Sequence, residues 1–260
     1  MAVDVDRWVD HLLVAVDDRR EVTAITKDVD ELAIDDAYAI QAALLDRYLA
    51  RGEVIAGAKL GLTSVAKQEQ MGVSEPVYGW VLASSVLPAD AEVSVGELIH
   101  PRVEPELVFR LGEDLAGPGV DAGDVLDATA EIVGGIEVID SRYEAFSFTL
   151  PDVIADNTSA ARVAVGADGV RPGEADLETL GCVFEVAGEI TGTATGAALL
   201  GDPAGCVAML ANHVGRNGGK LEAGWIVPAG APTDARPLAV GTSAVARYSA
   251  LGSVSVRGVA

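Results

Sequence analysis

The sequence predicts an α+β protein, with a helical N-terminal region over residues 1–53 and a β-rich domain over residues 54–260. Two observations predict it. Apolar residues recur at three- and four-residue spacing through the first fifty positions, and beyond residue 53 short Val- and Ile-rich runs alternate with Gly, Pro and Asp clusters. No fixed-period repeat or low-complexity linker breaks the β-rich part.

The elements follow in order. "DRWVDHLLVAVDDRR" and "DELAIDDAYAIQAALLDRYLARG" are amphipathic helices, the second closing at Gly52, and "EVTAITKDV" between them breaks the period. Strands are expected in "VIAGAKLGLT", "VEPELVFRLG", "GGIEVID", "RVAVG", "CVFEVAG", "GWIVPAG" and "AVARYSALGSVSVRGVA". Helices are expected to interrupt them in "DVLDATAEIVG" and "PAGCVAMLANHVGRNG". With 50% hydrophobic residues in 260, the chain can build a sizeable core. No apolar run reaches the ~18 residues a membrane helix needs. The acidic start "MAVDVDRWVD" lacks the layout of a signal peptide, so a soluble, cytoplasmic chain is expected. A net charge of −22, from 40 acids against 18 bases, repels nucleic acid and anionic lipid. Cys182 and Cys206 sit in apolar contexts without a CxxC and are expected as buried free thiols.

"HPRVEPELVF" carries the first chemical signal. Residues i and i+2 of a strand share a face, so Glu104 and Glu106 project together from an apolar run. Glu137 lies in a comparable context in "GGIEVID". Carboxylates converging from two strands repel one another, and a divalent cation relieves this; oxygen-only ligation favours Mg²⁺ or Mn²⁺ over zinc. Structural ion pairs explain buried acids as well, and Pro105 between the two glutamates points to a strand edge or a bulge. In "GAKLGLTS", Gly57 and Gly61 flank Lys59 on its own face and leave room for a chain segment or ligand. Lys59 there holds an anion, or transfers a proton if desolvation lowers its pKa; the alternative is a strand-edge lysine reaching solvent. Asp156, Asn157, Thr158 and Ser159 form a polar cluster of the kind that makes turns. The histidines show no metal-ligand spacing, and there is no Walker loop, GxGxxG or GxSxG motif.

In order along the chain, "GAKLGLTSVAKQEQMGVSEPVYGW", "LIHPRVEPELVF", "IEVIDSRYEAFSF", "VIADNTSAARVAVG", "PAGCVAMLAN" and "YSALGSVSVRG" resemble the signature segments of the 4-oxalocrotonate decarboxylases. These group with the 2-oxopent-4-enoate hydratases in the fumarylacetoacetate hydrolase superfamily. The resemblance covers most of the chain. It implies a catalytic domain of mixed sheets forming a roll or sandwich, a Mg²⁺ or Mn²⁺ site at Glu104, Glu106 and Glu137, Lys59 in the pocket, and Ser159 on the substrate. Within the family, Asp140 in "VIDSRYEAF" resembles the decarboxylase branch, where hydratases more often have glycine. Val77 stands where hydratases tend to carry an aspartate, and a valine cannot position or deprotonate water; it is expected as an apolar, substrate-facing wall. Pro105 replaces a common alanine. The Pro228–Pro232 loop departs from an expected "TGG" or "TGA", losing a threonine hydroxyl, which leaves its role open.

The reaction so implied is decarboxylation of 2-oxohex-3-enedioate, a small 2-oxo diacid, to 2-hydroxypenta-2,4-dienoate and CO₂ in the meta-cleavage of aromatic compounds. The resemblance also implies an oligomer and association with a paralogous 2-oxopent-4-enoate hydratase. Three other readings compete: such a hydratase itself, an acylpyruvate C–C hydrolase, and a non-catalytic partner subunit of the hydratase. A hydrolase would need a water-activating base pair that the sequence lacks, and the intact glutamates argue against the non-catalytic subunit.

Overall fold

The computed structural model describes residues 3–64, 68 and 76–260; residues 65–67 and 69–75, inside the first of the quoted motifs, lie outside the described residues. The two N-terminal helices form as their periods predict. α1 (Val5–Asp18) starts where the Asp4 carboxylate caps the Arg7 N–H, and it buries Trp8, Val9, Leu12 and Leu13. α2 (Ile34–Ala50) places Asp35 and Asp36 in its first turn, where the helix dipole favours them, and the chain turns away at Gly52 with φ +95°. Arg51 grips both oxygens of Asp17 at 2.8 and 2.9 Å, tying the helices together, although at half-exposed positions such a pair contributes little.

The strands are β1 (Ile55–Gly61), β2 (Val77–Leu82), β3 (Val86–Pro88), β4 (Ala91–Ser94), β5 (Arg102–Leu111), β6 (Thr129–Ile139), β7 (Ala160–Val170), β8 (Gly181–Val186), β9 (Glu189–Thr195), β10 (Ile226–Pro228), β11 (Arg236–Pro237), β12 (Ser243–Tyr248) and β13 (Gly252–Val259). Further helices among the described residues include α3 (Ala122–Ala128), α4 (Leu150–Ala155) and α5 (Pro203–Arg216). One expected element needs correction. The helix expected in "DVLDATAEIVG" stops at Ala128, and Thr129 onward is strand, because pairing with β5 and continuous burial from Ile132 to Val138 override the helical spacing. α4 gives no periodic signal, since six residues are too few for one to register; its signal is the Thr149–Asp152 capping box with Pro151 in the first turn.

One sheet runs β2-β1-β10-β5-β6-β7-β3, with β11 also on β5; the other runs β4-β13-β12-β8-β9. The end strands of the first path, β2 and β3, are consecutive in the chain and separated only by Ala83–Ser85. The sheet therefore curls back on itself into a roll. Inside it, Val81, Val108, Val133, Val163 and Val165 form an apolar patch. Outside it, the second sheet and α5 bury the main core, including Phe109, Ile136, Phe184, Val207, Leu210 and Val254. At the end of the roll where β6 gives way to β7, α1 and α2 pack their apolar faces with Val77, Tyr143, Ile154 and Ala155. The buried Gln41 amide of α2 donates to the Tyr78 and Ile154 carbonyls, both at 2.8 Å, which pins the helices to β2 and α4. Among the described residues no helix is long and apolar enough to cross a membrane. Both cysteines are buried and free, and burial pushes each thiol up to about 12.

Tyr248 locks the sheets together. Its ring fills the space beside Gly134, where a Cβ would lie 2.5 Å from the ring, and its hydroxyl reaches the Glu106 and Gly135 carbonyls at 2.7 and 2.9 Å. Tyr248→Phe leaves these carbonyls without that donor and is expected to cost about 1–3 kcal/mol of stability in urea titrations. An unchanged midpoint would show that the hydroxyl contributes nothing.

Candidate metal centre

Register assembles the site. On β5 and β6, Glu104 lies directly opposite Glu137, and Glu106 opposite Gly135. Directly opposed residues share a face, so all three carboxylates point into the roll, and Gly135 contributes no side chain to crowd Glu106. Their oxygens lie within 4.8 Å of one another. The glutamates are 8%, 0% and 2% exposed in chain order, so they cannot shed their charge into solvent. Val163, opposite Glu137 on β7, continues the same face as apolar wall.

Pro105 sits in an interior strand with regular register rather than at the edge or bulge expected of it. The reason is local. Odd-numbered residues of β5 direct their backbone toward β10 and β11: Leu111 N–H meets the Trp225 carbonyl, and the Leu107 and Pro101 carbonyls meet Ala229 and Leu238 N–H. Between Pro228 and Arg236 no strand pairs there, so at Pro105 the missing N–H costs no ladder bond. The chain that leaves β10 instead supplies the site: the Gly230 N–H donates to Glu106 Oε2 at 2.6 Å. Gly230 has φ +118°, and a Cβ there would lie 1.8 Å from Thr63 Oγ1, so only glycine fits. The divergent Pro228–Pro232 loop thus carries a backbone donor to a site carboxylate.

Lys59 is 2% exposed, not a solvent-reaching edge residue. Its Nζ donates to Glu137 Oε2 at 2.6 Å and to the Thr158 carbonyl at 3.4 Å. The room beside it is taken by protein. A Cβ on Gly57 would lie 1.9 Å from the Ile226 carbonyl oxygen of β10, and one on Gly61 3.1 Å from Val77. Burial pushes the Lys59 pKa down, but the attraction of Glu137, then Glu104 and Glu106, outweighs it and the net shift is upward. A pKa lowered by desolvation, one of the two routes open from the sequence, is therefore not what the pocket produces: Lys59 stands as a cation. Glu106 shifts the other way from a normal acid. Burial first, then repulsion from Glu137 and Glu104, raises it well above the usual carboxylate range against the pull of Lys59 and the Gly230 N–H.

The residues fit a hard divalent cation. Three carboxylates crowd together in a buried pocket, where their mutual repulsion favours a cation, and the buried Glu106 Oε1 has no hydrogen-bond partner among the described residues. Thr158 and Ser159 lie in the turn between α4 and β7, which reaches Lys59 through the Thr158 carbonyl, and both hydroxyls are buried with no hydrogen-bond partner among the described residues. Thr158 sits over Gly79, the residue opposite Lys59, whose missing Cβ would lie 2.3 Å from the Thr158 hydroxyl. Val77 lies on the Lys59 face of β2, opposite Gly61, and packs into the helical cluster. Asp140 is scaffold: its carboxylate accepts the Ile99 and His100 N–H groups at 2.9 and 2.8 Å, anchoring the approach to β5. The Gly230 N–H is not legible as a site group, because a backbone donor leaves no mark in a sequence; Thr158 belongs to the polar cluster that reads either as a turn or as a loop supplying hydroxyl donors to a carboxylate.

No family model matches the chain. It is 41% identical over 248 residues to the 4-oxalocrotonate decarboxylase of Pseudomonas sp. (strain CF600), across 95% of this chain and 94% of that one. It is 40% identical over 210 residues to the 2-hydroxypent-2,4-dienoate hydratase of Pseudomonas putida, across 80% and 95%. The solved 4-oxalocrotonate decarboxylase from Pseudomonas putida G7, complexed with magnesium and adipate, superposes with a TM-score of 0.94 at 40% identity, covering 98% and 97% of the two chains. The fumarylpyruvate hydrolase of Pseudomonas aeruginosa, complexed with Mn²⁺ and pyruvate, shares the fold at a TM-score of 0.61 and 16% identity over 78% and 88%.

The raised Glu106 pKa gives a signed expectation. Its contribution to metal-free stability is present below the ordinary glutamate pKa and is lost as pH rises through the raised value, since the folded state then buries an uncompensated charge. A bound cation removes that penalty. The difference in Tm between Mg²⁺-saturated and chelator-treated protein is expected to widen with rising pH. A gap that is constant or narrows would contradict the site.

Proposed function

The chain belongs to the 4-oxalocrotonate decarboxylase and 2-hydroxypentadienoate hydratase family of the fumarylacetoacetate hydrolase superfamily, and from that membership we propose that it decarboxylates 2-oxohex-3-enedioate to 2-hydroxypenta-2,4-dienoate and CO₂. The observation that carries the reading is the buried Glu104–Glu106–Glu137 cluster with Lys59 inside it, in a chain that follows a decarboxylase over nearly its whole length.

Glu104, Glu106 and Glu137 would hold a Mg²⁺ or Mn²⁺ ion, which would supply Lewis-acid polarisation of a 2-oxo group. The remaining work falls to the chain's own residues. As the C5–C6 bond breaks and CO₂ departs, its electron pair moves through the shifting double bond to the C2 oxygen. Lys59, held cationic by its neighbours, stabilises the charge that develops there and can deliver the proton that completes the enol. The Ser159 and Thr158 hydroxyls, buried without partners, donate to the substrate's carboxylate or oxo oxygens. Val77 and Val163 line the Lys59 and Glu137 faces with apolar surface, which keeps water from the dienolate. The product is a reactive dienol, and the 40% identity to a hydratase that acts on such a compound supports a complex with a paralogous hydratase that takes it up.

A second reading, hydration of the five-carbon dienol, is favoured by that same relative and opposed by Val77. Purified protein, Mg²⁺ and the six-carbon diacid separate the two: CO₂ release with growth of dienol absorbance is expected. Hydration of supplied dienol without CO₂ release would replace the proposal. Glu106→Gln is expected to weaken Mg²⁺ binding by at least about tenfold and abolish turnover. Lys59→Met is expected to lower kcat by about a hundredfold while metal binding persists; an unchanged kcat removes Lys59 from the reaction.

A further inference from the structure

Asn157, Thr158 and Ser159 have φ of +47°, +50° and +56°. Three successive non-glycine residues in the left-handed region are each disfavoured, and such a run persists only where its surroundings over-determine it. Most of the constraint comes from one side chain. The buried Arg142 guanidinium donates to the Asp156 carbonyl at 2.6 Å, immediately before the run, and to the Ala160 carbonyl at 3.2 Å, immediately after it. It also donates to the Asp140 carbonyl at 2.7 Å and through Nε to the Asp156 carboxylate, which accepts the Arg142 backbone N–H at its other oxygen at 3.1 Å. The end of β6 closes the frame: the Asp140 N–H donates to the Ser159 carbonyl at 2.8 Å. On the far side the Asn157 amide bridges the Trp80 N–H and carbonyl at 2.8 and 3.0 Å. The run is thus held at both ends by one planar, always-charged group and seated on β2 by Asn157.

We propose that Arg142 is a positioning residue: by clamping the carbonyls on either side of Asn157–Ser159 it holds the left-handed run that presents the Thr158 and Ser159 hydroxyls to the substrate. The inference rests on the functional reading above for its substrate, and on geometry alone for the clamp. Arg142 is one turn of chain beyond the scaffold residue Asp140 and has no contact with the three glutamates, so metal binding should not depend on it. A lysine in its place keeps the charge beside Asp156 but cannot span both carbonyls with a planar fork.

The test uses Arg142→Lys in the full chain. Amide hydrogen exchange on Mg²⁺-loaded protein without substrate is expected to accelerate by about tenfold or more at residues 157–160 and to stay unchanged in β5 and β6. Mn²⁺ affinity is expected to be retained. Turnover of the diacid is read in a cycle with Ser159→Ala: Arg142→Lys is expected to lower kcat/KM by about tenfold to a hundredfold alone, and by no more than about threefold in the Ser159→Ala background. Unchanged protection at 157–160, or additive losses in the cycle, overturns the proposal. Where Arg142→Lys does not fold, the Arg142→Gln/Asp156→Asn pair removes both buried charges together and is read the same way. A wild-type protein that releases no CO₂ would sink the reaction and not the clamp, which the exchange data judge on their own.

Discussion

Everything in this molecule is arranged around an electrostatic imbalance held inside it. Three carboxylates converge in a buried pocket beside the Lys59 ammonium group, and Oε1 of Glu106 has no hydrogen-bond partner among the described residues. Solvent would screen such a cluster cheaply, but the glutamates are almost fully buried. A protein that keeps them there gives up stability in the metal-free state, as the upward shift of Glu106 records, and recovers it when a divalent cation supplies the missing charge. The same cation is what a 2-oxo acid needs to accept an electron pair at its oxo oxygen. The stability cost and the chemistry have one cause.

The roll makes the imbalance possible. Flat strands spaced about 4.8 Å apart would hold β1 and β6 too far apart for a lysine and a glutamate to meet at van der Waals reach. Closure through the short β2–β3 connection curls the sheet so that Lys59 and Glu137 bond across two intervening strands. Bare positions then let the groups approach: Gly135 opposite Glu106, Gly79 beneath Thr158, and Gly230, where a β-carbon would collide with Thr63. Tyr248 fastens the back of the same two strands from the other sheet, bonding the carbonyls of Glu106 and Gly135 themselves. The carboxylates are therefore fixed by backbone on one face and aimed by register on the other.

How much of this was legible depended on how far each signal travels along the chain. Glu104 and Glu106 declare a shared face by alternation alone, and an acid inside "GGIEVID" or a lysine between two glycines is odd enough to notice. That Glu137 stands opposite Glu104 is a matter of register between distant strands, which no local pattern encodes. The Gly230 N–H is invisible for a plainer reason: every residue but proline has one. Arg142 and Asp156 read as ordinary charges near a turn, yet they form a buried frame around a strained run. Asp140 is legible as a mark of the decarboxylase branch, while its physical part, a carboxylate accepting two backbone amides that lead into β5, emerges only from the structure.

What separates decarboxylation from hydration must then lie in the control of water. The dienol is the product of one reaction and the substrate of the other, and they differ in whether water is brought to it or kept from it. Glu137 accepts a hydrogen bond from Lys59, and Lys59, its pKa raised by the neighbouring glutamates, stands as a cation and not as a base. The face that Lys59 shares with β2 ends in Val77, packed against the N-terminal helices, where an ionisable side chain would have to be buried in an apolar cluster. A valine there offers neither a donor nor an acceptor. A pocket built this way can let an electron pair collapse onto an oxo group and release CO₂, while its Val77 side offers an attacking water nothing to bind.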